Sequence, residues 1–245
     1  GQGEHVVLVH GFGGDKLHWR SFAKQLTRLY HVIVLDLPGF GESTRLPEAS
    51  YGYPQQVERL HAFLQKLNLS KIHLAGNSMG GAICGIYAAR HPEEVATLTL
   101  IDAAGVVEPQ KSEFTRLLRQ GVNPLVVKDA RDYDRLLAFI AHTPQTIPEP
   151  FKTKLAQDAV EKGPFNAQIF LSILEHFNLL EREMENIEAP VLIIWGDSDR
   201  VIDPSCVQVL EQKIKDTRTA IIKDCGHMPM TEKPKETARA FLDFL

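Results

Sequence analysis

Cysteine is scarce in this 245-residue chain: Cys84, Cys206 and Cys225 are odd in number and far apart. No C-x-x-C pair occurs, so the sequence offers neither a disulfide framework nor a cysteine metal site. Reduced thiols fit a cytosolic protein without requiring one. Excess positive charge is missing too. Lys+Arg number 27 against 31 Asp+Glu, for a net charge of −4, which excludes the clustered basic surface of a nucleic-acid binder. A membrane-spanning run is also missing. The longest uncharged stretch, Ile72 to Ala89, holds Gly76, Asn77, Ser78, Gly80 and Gly81 at its centre, and reads as strand, turn and helix. No signal-peptide pattern is visible. The 17 Gly and 14 Pro follow no period, which excludes collagen-like and low-complexity chains. At 44% hydrophobic and 24% charged residues the chain is no disordered polymer. Its length suits one large domain with an insertion, able to bury a core without staples.

What is present is an alternation. Short, β-branched apolar runs occur at His5–Val9, His31–Leu35, Lys71–Ala75, Thr97–Ile101, Val191–Trp195 and Thr219–Ile222, each bounded by Gly, Pro, Asp or Asn. Such runs suit strands buried on both faces. Between them, Trp19, Phe22, Ala23, Leu26 and Leu29 repeat at helical spacing. So do Val57, Leu60, Leu64 and Leu67, the stretch Ala82–Ala89, and the end Phe241–Leu245. Strand alternating with helix predicts an α/β fold: a mostly parallel sheet with helices on both faces. No strand pattern appears from Val106 to Glu188. That interval reads as helices separated by Pro124, Pro144, Pro148, Pro150 and Pro164, rich in Phe and Leu. A structureless loop of that length is implausible. The expected organisation is a core of residues 1–105 and 189–245 carrying an inserted helical cap, 106–188.

The chemistry concentrates in four loops. Gly76-Asn77-Ser78-Met79-Gly80 is G-x-S-x-G between an apolar strand and a helix, the context a nucleophile elbow requires. Gly76, Gly80 and Gly81 would allow the tight approach, and Ser78 becomes the candidate nucleophile. A serine needs a base. His227, in the Gly-flanked loop after the last strand, is the candidate. His5, His31, His61, His73, His91, His142 and His176 have no such setting and read as ordinary polar residues. The acid that orients His227 should lie between Ser78 and His227 in chain order. Asp199, three residues beyond Gly196, is the first choice, with Asp197, Asp203 and Asp102 as alternatives. His10-Gly-Phe-Gly-Gly14 ends the first strand. It lacks G-x-G-x-x-G and a following Lys, so it reads as an oxyanion loop and not a phosphate loop. The Phe12 and Met79 backbone N–H groups are the expected donors. Asp36-Leu-Pro-Gly39-Phe-Gly41-Glu-Ser43 reads as a structural turn, and Trp19 and Tyr51 as packing residues. Phe114, Leu118, Phe139, Ile140 and Phe170 are the cap residues expected to line an apolar substrate pocket.

HGFGG, DLPGFGES, GNSMGG, WGDSDRVI and CGHMP, in that order, resemble the α/β-hydrolase fold superfamily. More narrowly, Gly76–Ala82, Ile101–Gly105, Asn123–Val126 and Gly226–Met230 resemble the cold-active bacterial lipase 1 family and the α/β-hydrolase-domain monoacylglycerol lipases. The resemblance covers essentially the whole chain. It implies Ser78 as nucleophile, His227 as base, Asp199 as acid, and Phe12 and Met79 as oxyanion donors. It also implies that one or two strands precede the H-G-F-G strand. Only four residues precede His5 and the chain opens at Gly1, so a leader, anchor or further strands are expected upstream. The expected localisation is cytoplasmic, or membrane-associated or exported if such a segment has been removed.

The expected activity is a serine carboxylic-ester hydrolase, a lipase or esterase acting on monoacylglycerols or short-to-medium acyl esters. It calls for no cofactor and no metal. Its partner is a small acyl ester or lipid, with room for contact at a lipid interface. Two other readings remain. One is a carbon–carbon bond hydrolase of dienoic ring-cleavage products, against which Met228 after His227 and the H-G-F-G loop argue. The other is a slow-turnover or non-enzymatic ligand receptor, against which an intact triad argues.

Overall fold

The computed structural model describes residues 1–144 and 146–245. Six strands form one parallel sheet: β1 His5–Val9, β2 His31–Leu35, β3 Ile72–Asn77, β4 Val95–Ile101, β5 Val191–Gly196 and β6 Thr217–Ile222. Their order is β2-β1-β3-β4-β5-β6. The chain therefore steps outward from β1 to β2, then crosses back to the other side of β1 with β3. In open parallel sheets, ligands bind beyond the strand C-termini where the order reverses in this way.

Alternation along the strands feeds two cores. Val7 and Val9 of β1, with Val191, Ile193 and Trp195 of β5, face one core. Val6 and Leu8, with Leu192 and Ile194, face the other. The first is covered by α2 Tyr53–Lys66, α3 Met79–Arg90 and α8 Cys206–Lys213. The second is covered by α1 Arg20–Leu26 and α10 Pro234–Leu242, with α9 Pro229–Glu232 beside them. Phe22 of α1 meets Phe241 of α10 edge-on at 5.5 Å between ring centroids. Trp19 and Tyr51 are buried, as packing residues should be.

Two helix ends fall short of the apolar pattern. α1 stops at Leu26 and α2 at Lys66, so Leu29 and Leu67 are exposed. For α2 the stop is Asn68, whose φ of 53° is the left-handed cap that lets the Leu69 N–H reach the Leu64 carbonyl.

Between β4 and β5 lie α4 Glu113–Arg119, α5 Ala130–Ile140, α6 Glu149–Leu174 and α7 Leu179–Glu183, with no strand among the described residues. Pro150 and Pro164 do not separate helices, contrary to expectation, for both lie within α6. Pro150 sits in the first turn, where its missing N–H has no partner to lose. Pro164 is interior and costs about 3 kcal/mol in isolation. Tertiary burial offsets it. Ile169 and Ile173 enter the first core, and Gly163 lies so close to the Val127 carbonyl that a Cβ there would sit 2.2 Å from its oxygen. No described helix is long and apolar enough to cross a membrane.

Candidate active site

β3 runs straight into Ser78, whose φ of 55° and ψ of −119° lie where an L-residue is strained. Such a conformation costs about 1–3 kcal/mol and persists only when its surroundings impose it. They do so here. The Ser78 N–H donates to the Ile101 carbonyl, and the Ser78 carbonyl accepts from the N–H groups of both Ala82 and Ala104. A Cβ on Gly76 would stand 2.2 Å from the Gly80 oxygen, and one on Gly80 2.4 Å from the Val9 oxygen. The helix can thus start directly against the ends of β1 and β3, with its positive dipole end beside Ser78.

The loop after β1 lies alongside. A Cβ on Gly11 would come within 3.1 Å of the Ser78 Cβ. His10, fully buried, shapes this loop. Its Nε2 accepts the Leu37 N–H at 3.0 Å, which leaves Nδ1–H to donate to the Gly11 carbonyl at 2.8 Å. Burial lowers its pKa from 6.5 to about 4, so the imidazole stays neutral. Among the described residues no hydrogen bond engages the N–H of Phe12 or of Met79. The Asp36 turn next to this loop is braced internally, with its carboxylate accepting from the Lys16 side chain and from the backbone N–H groups of Lys16 and Glu42.

His227 is held from three directions. Its N–H donates to the Ile140 carbonyl at 2.8 Å. Its carbonyl accepts from the Asn77 amide at 3.1 Å. The neighbouring Gly226 N–H donates to Glu232 at 3.0 Å. The His227 Nδ1 and Asp199 Oδ2 are 2.8 Å apart and both side chains are buried. The other Asp199 oxygen accepts from the N–H groups of Val201 and Ile202. With Nδ1–H given to Asp199, Nε2 is the nitrogen left to act as a base.

The other candidate acids are placed elsewhere. Asp197 braces its own loop through Ser198 and the Cys225 N–H. Asp203 caps the Ser205 N–H. Asp102, at the end of β4, lies beneath the pair: it, Asp199 and His227 each bring a side-chain N or O atom within 4.8 Å of the others. Burial, and then the charge of Asp199, push the Asp102 carboxyl well above the usual carboxylate range.

Above Ser78 opens an apolar cavity of about 410 Å³. Phe12, Met79, Phe114, Leu118 and Phe170 line it, with Ser78 in its wall. Phe170 touches Phe12 and Phe114 edge-on, at 5.5 and 6.0 Å between centroids. Two expected lining residues are absent from this wall. Phe139 is buried in the core beneath the Arg200 guanidinium, and Ile140 supplies the carbonyl that holds His227. Phe139 belongs to the first core and Ile140 packs against it, where α5 ends at the His227 loop. Ile173, Leu174 and Phe177 line the cavity and were not anticipated, although they follow Phe170 at helical spacing. Val201 and Ile202, directly after Asp199, line it as well. Asn77 and Glu232, which tie the His227 loop, were also missed, since their partners lie far away or outside any motif.

His61 and His91 are not isolated polar residues. Their rings stack at 4.1 Å beside Glu94, at the end of α3 remote from Ser78.

A known family shares this arrangement, and the α/β hydrolase fold matches residues 4–234. The chain belongs to the α/β-hydrolase fold family. It is 37% identical over 248 residues to lipase 1 of Psychrobacter immobilis, covering 99% of this chain and 77% of that protein. It is 33% identical to the monoacylglycerol lipase abhd6-A of Xenopus laevis, over 98% of this chain and 74% of that protein. Among solved structures, a membrane phospholipase A described as a bacterial virulence factor superposes with a TM-score of 0.97. That hydrolase is 46% identical, over 98% of this chain and 78% of its own.

Proposed function

We propose that this α/β hydrolase is a serine carboxylic-ester hydrolase of the lipase/esterase kind, acting on monoacylglycerols or other short-to-medium acyl esters. The observation that carries the proposal is Ser78 on a strained elbow, in the wall of an apolar cavity and beside two backbone N–H groups that have no acceptor among the described residues. The lipase and phospholipase relatives support the same chemistry.

In this reading the His227 Nε2 takes the Ser78 proton as Oγ adds to the ester carbonyl. The Phe12 and Met79 N–H groups receive the oxyanion. Asp199 holds the imidazole in the right tautomer and stabilises the imidazolium. His227 then gives its proton to the departing alcohol, leaving an acyl group on Ser78. Water, deprotonated by His227, adds to that acyl group; the intermediate then expels Ser78 Oγ, which takes the proton back from His227 as the acid is released. Every proton step uses His227, so the reaction needs no cofactor. The acyl chain lies along Phe170, Phe114 and Leu118. Residues 1–105 and 189–245 act as the catalytic core and 106–188 as the cap that supplies the pocket.

Contact with a lipid interface belongs to the same proposal. Leu174 is 43% exposed and Phe177 52% exposed in the cavity wall, which also includes Lys111, Arg119 and Glu108. Apolar side chains beside cations suit an anionic lipid surface.

The test pairs fluorophosphonate labelling with turnover of a p-nitrophenyl ester chain-length series. Labelling at Ser78 and multiple turnover peaking at one acyl length are expected. Dienoate cleavage without ester turnover would replace this reading with carbon–carbon hydrolysis. Labelling without turnover would point to a receptor.

A further inference from the structure

Asp102, grouped with Asp199 and His227, is a carboxylate that the proposed mechanism does not use. Its position is built, not incidental. The backbone enters the left-handed region at φ 44°, and the N–H donates to the Ile194 carbonyl at 3.0 Å. The side chain is fully buried. Oδ1 accepts the Gly196 N–H at 2.9 Å. Oδ2 is buried with no hydrogen-bond partner. A buried carboxylate oxygen without a donor is strongly disfavoured. A second negative charge beside Asp199 is disfavoured as well, because two carboxylates sharing a dry site do not both ionise.

Around Asp102, Asp199 comes from the loop after β5, His227 and Cys225 from the loop after β6, and Glu232 from α9. Glu232 adds a further negative charge and is engaged by the N–H groups of Gly226 and His142. Oδ2 is satisfied without adding a group when it carries a proton and gives it to a neighbouring acceptor. Of the two oxygens of Asp199, one is taken by Val201 and Ile202 and the other by His227. Each carboxylate oxygen has a second lone pair to spare.

We propose that Asp102 is a positioning residue of this site: protonated on Oδ2, it donates a hydrogen bond to the Asp199 carboxylate and so holds Asp199 as the single ionised partner of His227. The proposal rests on the triad reading above. Asp102 touches neither substrate nor reacting atoms. It fixes the orientation of Asp199 from below, while Val201 and Ile202 fix it from the side. The Asp102 proton is not transferred during turnover.

The test is the pH dependence of kcat and kcat/KM for a p-nitrophenyl ester, measured on the full chain and four variants. Asp102→Ala removes both the donor and the acceptor for Gly196, and should lower kcat by ~10–100-fold with KM little changed. Asp102→Asn keeps an N–H donor toward Asp199 and an oxygen toward Gly196, with no charge. It should recover most of that loss and leave the acidic limb of the profile where it stands in the wild-type protein. A protonated-carboxyl stretch in the infrared difference spectrum at neutral pH should disappear in Asp102→Asn.

An acidic limb displaced downward by about one unit in Asp102→Asn would mean that an ionised charge had been removed, and would overturn the proposal. So would wild-type kinetics in Asp102→Ala. If the Ala variant does not fold, the limb position in Asp102→Asn and the infrared band decide alone. Ser78→Ala and Asp199→Asn separate the two levels. Near-normal turnover in either would sink the triad reading itself. Their inactivity beside an unaffected Asp102→Ala would sink only this inference.

Discussion

The floor beneath Ser78 and the cavity above it are made of different materials. The floor is backbone and buried polar side chains: the N–H and carbonyl of Ser78, the His10 imidazole, the Asn77 amide and the Asp199 carboxylate, each tied by hydrogen bonds to strand ends or to the segments that follow them. The cavity is built of aromatic and aliphatic side chains, many on helices of the insertion, meeting edge-on and through apolar contact. Hydrogen bonds of fixed length and direction hold atoms to a fraction of an ångström, which bond-making requires. Apolar contact is non-directional and tolerates changes of volume, which suits acyl chains of several lengths. The floor should therefore govern whether the reaction occurs, and the cavity which ester undergoes it.

Substitutions can break that division. Ser78→Ala should lower kcat by at least ~10⁴-fold for every acyl length, because members of a triad act as a unit. A loss that varied strongly with chain length would show the division to be wrong.

The next effect is on stability. His10 is neutral in the folded protein down to about pH 4, while the unfolded chain protonates it near 6.5. The stabilisation is complete above about pH 6.5 and is lost as the pH falls through that window toward 4, to a total on the order of 3 kcal/mol. Denaturant midpoints measured through the window should fall more steeply for the wild type than for His10→Asn. Equal slopes would remove His10 from the floor.

Gly76→Ala places a Cβ 2.2 Å from a backbone oxygen that has little room to move. It should destabilise the fold by about 2 kcal/mol and lower activity at all chain lengths together. An unchanged melting temperature would contradict the close approach at the elbow.

The smallest effect belongs above. Phe170→Ala should raise KM for medium-chain esters by about 10-fold, with a much smaller change for acetyl esters and in kcat, the pattern of lost uniform binding. A fall in kcat as deep as that of Ser78→Ala would merge the two regions into one.

The floor was far more legible in the sequence than the cavity. Strand runs, Gly76-x-Ser78-x-Gly80 and the His10 and His227 loops are local patterns. The constraint that each obeys, a buried strand or a backbone approach without room for Cβ, acts within a few residues. Phe139 and Ile140 show where locality ends. Their helical spacing marks an apolar face, but whether that face looks toward the cavity or the His227 loop depends on how α5 sits on the sheet. Pro164 shows the same limit in energy. Its cost is readable from one residue, while the burial of Ile169 and Ile173 that offsets it depends on partners far along the chain. The buried place of Asp102 beneath Asp199 likewise depends on β4 and β5 becoming neighbours.

The parallel order of the strands has a kinetic consequence. The loop of His10 hangs from β1, Ser78 from β3, Asp199 from β5 and His227 from β6, and the Asn77–His227 hydrogen bond alone spans 150 residues. Contacts of such separation form late, after the loop-closure entropy of the intervening chain has been overcome. No fragment and no early intermediate can hold these groups together. Reactivity toward a fluorophosphonate during refolding is therefore a clock for the last assembly step, and it should lag behind the recovery of helical circular dichroism.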